Sequence, residues 1–461
     1  MQRSIFLFAA FVLALSGCSV GPDYRHPELP TPAAWKQPGA GNDWPQRDWW
    51  QRFALPELNA LMEQAAWANP DFGAAVARLR EAEAQVKISG AALLPSVQAT
   101  AGAARSRSLS TVPKNASKPV GQDSFGASLS AGYELDFWGR LADAQDMARA
   151  AAEASRFDQQ TIALTVQAQL ADSYFLALAL DERLKVAARN LANAQATLDA
   201  VRARASHGLA AGLDIAQQES VVAELRAAMP PLRQQLRQTV NSMAILTGQL
   251  PDAVAPPSRT LAEVTIPEVG AGLPSGLLAR RPDVQSAEAQ LKAANADIKA
   301  AEAAIFPDVA LTAQGGAQSH QLSTLLDPAS VLYSLAASLT QQIFRGGALE
   351  GGIELKQARY DELLEGYRKA VLTAFVDVEN ALVAVEQGKE QEAAQARAAA
   401  TAREALTIAQ GQLRAGTADI LSVLTAQRTL YQAEDLLVQV RLARAQAAVA
   451  LFRALGGGWQ G

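Results

Sequence analysis

Few side chains in this 461-residue chain are equipped for chemistry, and they do not converge. The three histidines, His26, His207 and His320, have no metal-ligand neighbour at useful spacing and read as isolated surface residues. There is no Gly-rich phosphate loop and no nucleophile elbow, so no catalytic residue, metal or cofactor is expected and the chain is not read as an enzyme. Cys18 is the only cysteine and cannot form an internal disulfide. Its thiol directly follows an apolar run and the small residues Ser16-Gly17, where the chemistry open to it is acylation. Two further carboxylates, Asp214 and Asp419, sit in Gly-containing turns between long helical runs.

The elements around these residues say more. Arg3 precedes the apolar run Ile5 to Leu15, which is too short to cross a hydrocarbon core of ~30 Å as a helix. It has the form of a secretory signal over residues 1–17, and Leu15-Ser16-Gly17-Cys18 resembles the bacterial lipobox, where the cysteine is diacylated and becomes the mature N-terminus. Ser19 at the next position favours the outer membrane. Residues 18–56 then form a Pro- and Trp-rich strap, too dense in proline for regular helix. Its tryptophans need something to pack against, so it is expected to wrap the body.

The rest of the chain is written twice. Asn69-Pro70-Asp71 opens an Ala-rich helical stretch reaching Leu94-Pro95, and Arg281-Pro282-Asp283 opens another reaching Phe306-Pro307, with both proline pairs at one constant offset. The first repeat covers 57–250 and the second 282–458, joined by a Pro-rich linker at 251–281. Each repeat ends in a long helical hairpin, 140–248 and 348–455, that turns at glycine. From 140 to 207 there is neither glycine nor proline, and Leu184, Leu191 and Leu198 recur every seven residues. Leu424, Tyr431, Val438, Ala445 and Phe452 repeat that stripe in the second half, the seam of coiled-coil-like helices. Such a helix runs ~100 Å at 1.5 Å per residue, so it is built to cover distance. Pro230-Pro231 interrupts the first return helix and predicts a kink or local break.

Four segments alternate with period two, paired as 96–137 and 308–344. In the clearest, Phe125, Ala127, Leu129, Ala131, Tyr133, Leu135 and Phe137 share one face against Gly126, Ser128, Ser130, Gly132, Glu134 and Asp136. Their length suits tilted transmembrane strands of ~9–11 residues, although a soluble antiparallel sheet with one wet face has the same periodicity. In a membrane strands must close into a barrel, and four are too few, because barrels start at about eight. The strands must then be pooled between copies. Two copies would give a filled barrel and three a lumen; the pattern leaves both open, while the polar faces favour a wet interior and hence three. With a net charge of -5 and no basic block, no nucleic-acid partner is expected.

Several motifs carry a resemblance: Cys18 to Pro27, Trp49-Trp50 with Leu55-Pro56-Glu57-Leu58, Glu134-Leu135-Asp136-Phe137-Trp138-Gly139-Arg140, Arg280 to Val284 with Ala287-Glu288, and Phe306-Pro307. Together they are similar to the outer membrane factor family, the TolC-like channels, in its lipoprotein branch. The resemblance implies an α+β membrane protein forming a trimeric outer-membrane β-barrel of four strands per chain, twelve in all. A long periplasmic α-helical barrel continues it. It also implies a homotrimer lipid-anchored through Cys18, partnered by a periplasmic adaptor protein and an inner-membrane transporter, and acting as the exit duct of a tripartite efflux pump for drugs or other small molecules. A protein-secretion duct and a pore-less, lipid-anchored periplasmic coiled-coil scaffold are the rival readings.

The resemblance also assigns sites. The hairpin tips, Gly208, Leu209, Gly212, Leu213 and Asp214 in the first repeat and Arg414, Gly416, Thr417 and Ala418 in the second, would dock the adaptor. Asp419, Leu421 and Thr425 would form the pore constriction. Here the sequence departs from its relatives, which often carry an acid in a V-L-D-A-Q stretch; this chain has Val423-Leu424-Thr425-Ala426-Gln427, a ring of hydroxyls in place of carboxylates.

Overall fold

The computed structural model describes residues 20–36, 44–107 and 121–457. Cys18 and the signal segment lie outside the described residues. Two compact units share the chain, one holding 20–28, 79–107, 121–155 and 287–367, the other 29–36, 44–78, 156–286 and 368–457.

The helices pair across the repeat. Helix α1 spans Pro56–Ala68 and α2 Pro70–Ala91; α3 spans Arg140–Ser206 and α4 Gly212–Leu246; α5 spans Pro282–Ala303, α6 Ala348–Ala415 and α7 Ile420–Ala454. Helices α2 and α5 both have 22 residues, α4 and α7 both have 35, and α3 and α6 have 67 and 68. Proline pre-sets the first turn of α1, α2 and α5, where its missing N–H has no partner to lose. The expected break at Pro230-Pro231 is absent, and α4 runs unbroken through both. Both prolines are exposed, so carbonyls that lose their helical donor remain open to water.

The first unit is dominated by one antiparallel sheet, ordered β1 (Ser96–Arg107), β2 (Gly121–Leu135), β3 (Asp308–Ser319), β4 (Val331–Thr340). The register decides its character. Ala99 faces Leu129, Leu129 faces Gly315, and Leu311 faces both Tyr133 and Ala337. All four apolar rows therefore fall on one face, with Thr100, Ser128, Gln314 and Ser334 on the other. Polar side chains bond across strands there, as in Thr100 Oγ1 to Ser128 Oγ at 2.9 Å. The apolar face is open: Val97, Leu129, Tyr333, Leu335 and Leu339 are all exposed. Within the chain, β1 and β4 each have one unpaired edge.

At the end of β2, Gly139 (φ +80°) turns the chain into α3, and the Asp136 carboxylate accepts the N–H groups of Leu141 and Ala142 at 3.1 and 2.8 Å. Trp138 stacks on Phe306 and donates its indole N–H to Pro307 O, tying the end of β2 to the start of β3. The strap lies along α5, where residues 288, 292, 295 and 299 form one helical face. Tyr24 donates to Glu288, Asn295 donates to Pro22 O, and Lys299 pairs with Asp23. His26, expected to be isolated, sits 3.1 Å from Glu288 Oε1 and meets the Tyr367 ring edge-on. Desolvation and the nearby Glu288 carboxylate push the Tyr24 hydroxyl pKa well up.

In the second unit the strap tryptophans find their partners. Trp49 is fully buried and stacked on Phe452, while Phe53 packs on Phe175. Trp35 donates to the carbonyls of Ala271 and Gly272. The two repeats close in parallel fashion. Asn69 donates to Leu246 O at 2.9 Å, and Arg281, at the same place in the second repeat, donates to Ala454 O while forking onto Asp283 and reaching Asp377. After each return helix comes a left-handed glycine, Gly248 (φ +64°) against Ala68 O and Gly456 (φ +85°) against Arg280 O. A side chain at either would meet backbone.

Candidate functional site

The hairpin tips begin as helix ends. Helix α3 stops at Ser206, and Gly208 (φ +73°) lets Leu209 N–H return to Arg204 O and Gly208 N–H to Ala205 O. Helix α6 stops in the same way at Gly416 (φ +74°), with Thr417 N–H on Gln412 O and Gly416 N–H on Leu413 O. Both are the paired closing bonds that a left-handed residue after a helix permits. Gly212 has a different place: it is the first residue of α4 and has no positive φ.

The aspartates also part company. Asp419 is a true N-cap: one carboxylate oxygen accepts Ser422 N–H at 3.0 Å and Ser422 Oγ at 2.7 Å. These hydrogen bonds hold its pKa below the usual carboxylate range, so it is anionic at neutral pH. Asp214 sits inside the first turn of α4 and reaches back to Ala211 N–H at 2.9 Å. Each carboxylate favours its helix N-terminus by charge as well as by hydrogen bonding. Leu209, Leu213 and Leu421 are exposed around them.

The second unit brings the two tips together. The Arg204 guanidinium donates to Leu413 O of the other hairpin and reaches Leu209 O of its own. Behind them Leu198, Val201, Val221, Leu406, Val423 and Leu424 belong to one core shared by α3, α4, α6 and α7. Two buried polar links cross it: Gln427 donates to Thr197 Oγ1 at 3.1 Å, and Tyr431 donates to Asn190 O at 3.2 Å. Burial pushes the Tyr431 pKa up to about 12. Sequence reasoning missed Arg204; as a basic residue in a last helical turn it looks like ordinary dipole compensation.

Asp419, Leu421 and Thr425 line one open concavity, floored by Ala402, Ala405 and Ala409 of α6. The Thr425 hydroxyl donates to Leu421 O at 2.9 Å, so it presents acceptor lone pairs outward. Thr429 repeats that bond to Thr425 O one turn on. Among the described residues no three of His, Cys, Asp and Glu gather as a metal site.

A four-stranded sheet with one exposed apolar face, joined to two long helical hairpins, defines a protomer of an outer-membrane channel. The likeness extends to whole chains. The outer-membrane channel OprN superimposes with a TM-score of 0.89 at 30% identity, covering 96% of this chain and all of that one. The pyoverdine export outer membrane protein OpmQ of Pseudomonas aeruginosa is 40% identical, over 100% of this chain and 98% of its own. The toluene efflux pump outer membrane protein TtgC of Pseudomonas putida is 32% identical, over 100% of this chain and 96% of its own. The family described as outer membrane efflux protein matches residues 61–249 and 273–457, and the chain belongs to that family. It is an outer-membrane protein that serves as an exit duct for efflux.

Proposed function

We propose that three copies pool their strands into a twelve-stranded barrel, that the helical hairpins line the periplasmic part of the duct, and that small molecules delivered by an inner-membrane transporter and a periplasmic adaptor leave through it. One observation carries this reading: the register puts every apolar row on one face while β1 and β4 keep an unpaired edge each. In lipid such edges are tolerable only if another copy pairs with them. Relatives named for pyoverdine and toluene support small molecules over secreted proteins as cargo. The two hairpin tips with their exposed Leu209 and Leu213 are the adaptor-docking surface, Asp419, Leu421 and Thr425 ring the periplasmic mouth, and acylated Cys18 anchors each copy. No step is catalysed; transport energy comes from the partner pump.

Planar-bilayer recording tests the duct. Purified protein should insert as a trimer and conduct. Protein that stays monomeric in detergent and never conducts would leave the lipid-anchored scaffold standing. For the anchor, mass spectrometry of the mature N-terminus should find a diacylated Cys18; an unmodified N-terminus at another residue refutes it.

A further inference from the structure

The polar face of the sheet is almost free of charge. Its positions in β1 are Ser96, Gln98, Thr100, Gly102, Ala104 and Ser106, and those in β2 run from Gln122 through Ser128 and Ser130 to Gly132. In β3 and β4 the same face continues through Thr312, Gln314, Gln318, Ser334 and Ser338. Charge enters at one level only, where Glu134 ends the row in β2, Asp308 begins the row in β3, and Asp136 follows on the same face with its carboxylate bound to the N–H groups of Leu141 and Ala142; Glu134 and Asp308 remain for a cation. Both are met by one cation. Arg140 in the first turn of α3 places Nη2 2.5 Å from Glu134 Oε1 and Nε 3.8 Å from Asp308 Oδ1. All three side chains keep substantial exposure, so they are not a sealed core pair.

We infer that Glu134, Asp308 and Arg140 form a charged collar on the inner wall of the barrel, where β2 gives way to α3, which selects solutes by charge and favours cations and zwitterions over anions. This rests on the trimeric-barrel reading. Glu134 and Asp308 against one guanidinium leave one negative charge per chain; Asp136, on the same face and hydrogen-bonded to the first N–H groups of α3, adds a second, six around the ring. The neighbouring wall of hydroxyls, amides and glycine offers hydrogen bonds to any polar solute but no charge discrimination. A ring of fixed charge in an otherwise neutral stretch of barrel wall dominates selectivity at that level, as acidic rings do in cation channels. Arg140 tempers the ring and holds Glu134 and Asp308 in place, so removing it should strengthen the field. The collar differs from the mouth at Thr425 in both sequence and chemistry, and it supplies carboxylates that the mouth's hydroxyl ring lacks.

Reversal potentials across a planar bilayer under a KCl gradient test the inference, with the mouth residues left unaltered in every variant. Arg140→Gln should move the reversal potential toward cation preference, and the double variant Glu134→Gln, Asp308→Asn should move it toward anions. Both shifts should be larger at low salt, because screening shortens the reach of the ring. Arg140→Lys keeps the charge and should keep the wild-type value. If Arg140→Gln fails to insert, the double variant still decides. Pores of normal conductance whose reversal potential is the same in all variants overturn the collar. Wild-type protein that forms no pore refutes the barrel reading instead.

Discussion

The two hairpins are within one residue of the same helix lengths and turn at the same left-handed glycine, yet they live in different surroundings. Helix α7 buries twice as many residues as α4, among them Tyr431, Val438, Ala445 and Phe452 of the heptad stripe. Helix α4 buries only short patches, such as Val221, Val222 and Leu232, and carries Pro230-Pro231 between them on its exposed side. The same backbone therefore tolerates in one repeat what it should not tolerate in the other. Duplication supplied the shape; packing decides which copy is constrained.

A proline transplanted into the second hairpin and a truncation in its core give the two largest expected effects. Gln439 on α7 stands where Pro231 stands on α4 and is also exposed, but it lies between buried Val438 and Val440 and donates to Asp435 at 2.6 Å, so Gln439→Pro bends a packed segment and removes that bond as well. We expect a loss of about 3 kcal/mol or more, from the missing hydrogen bond and the ring clash. Thermal unfolding of the purified trimer reads it out. An unchanged midpoint would mean that the second hairpin is no more constrained than the first. Phe452→Ala removes the ring stacked on Trp49 and should cost about 3–5 kcal/mol by the same readout, whereas exposed Leu213→Ala should cost under about 0.5 kcal/mol.

At the tips the contrast lies between glycines. Gly208→Val and Gly416→Val force a β-branched residue into the left-handed region, at a cost of roughly 1–2 kcal/mol each, while Gly212→Val meets neither positive φ nor a neighbour within 4 Å. Efflux complementation in cells, alongside trimer yield, should fall for the first two and hold for the third. Equal loss in all three would locate docking in tip shape rather than in the closing turns.

Asp172 on α3 offers a smaller effect with a defined sign. Burial pushes its pKa up to about 6, partly opposed by Arg453, and its Oδ1 has no hydrogen-bond partner. A carboxyl raised above its unfolded value holds its proton longer when folded, so stability should fall as pH rises from about 4 to about 6. Asp172→Asn removes the penalty and should gain about 1 kcal/mol per protomer at pH 7.5, and close to nothing at pH 4, in melts followed by circular dichroism. A gain that is equal at both pH values contradicts this.

The mouth gives the smallest expected change. Thr425→Asp should raise cation preference, and Asp419→Ala should lower whatever preference exists, more so at low salt. No change in either variant would move the constriction away from this level.

Much of this was legible in residue order, for physical reasons that differ by element. The strands declared themselves because period-two alternation fixes which face each side chain takes, and the structure keeps all four apolar rows together. Helix ends were legible because glycine accepts the left-handed turn at Gly208 and Gly416 at least cost. Pro230-Pro231 does not break α4, because both prolines face water and the carbonyls that lose a helical donor stay solvated. Asp214 and Asp419 look alike in residue order but take different places, Asp214 within the first turn of its helix and Asp419 at the N-cap, since boundary residues exchange roles across a few positions. Arg204 on Leu413 O, His26 on Glu288 and Arg140 on Asp308 were invisible in order alone, because each depends on which distant segment arrives next to it.

The most direct test of strand pooling uses thiols at the two open edges. In a Cys18→Ser background, Ala101→Cys on β1 and Leu335→Cys on β4 leave only the introduced pair, and β1 and β4 are not neighbours within a chain. Treated in membranes with a short bifunctional thiol reagent, the protein should run on a denaturing gel as monomer, dimer and trimer, and no larger. A ladder ending at the dimer, or no ladder at all with both thiols still reactive, would contradict a barrel closed by three chains.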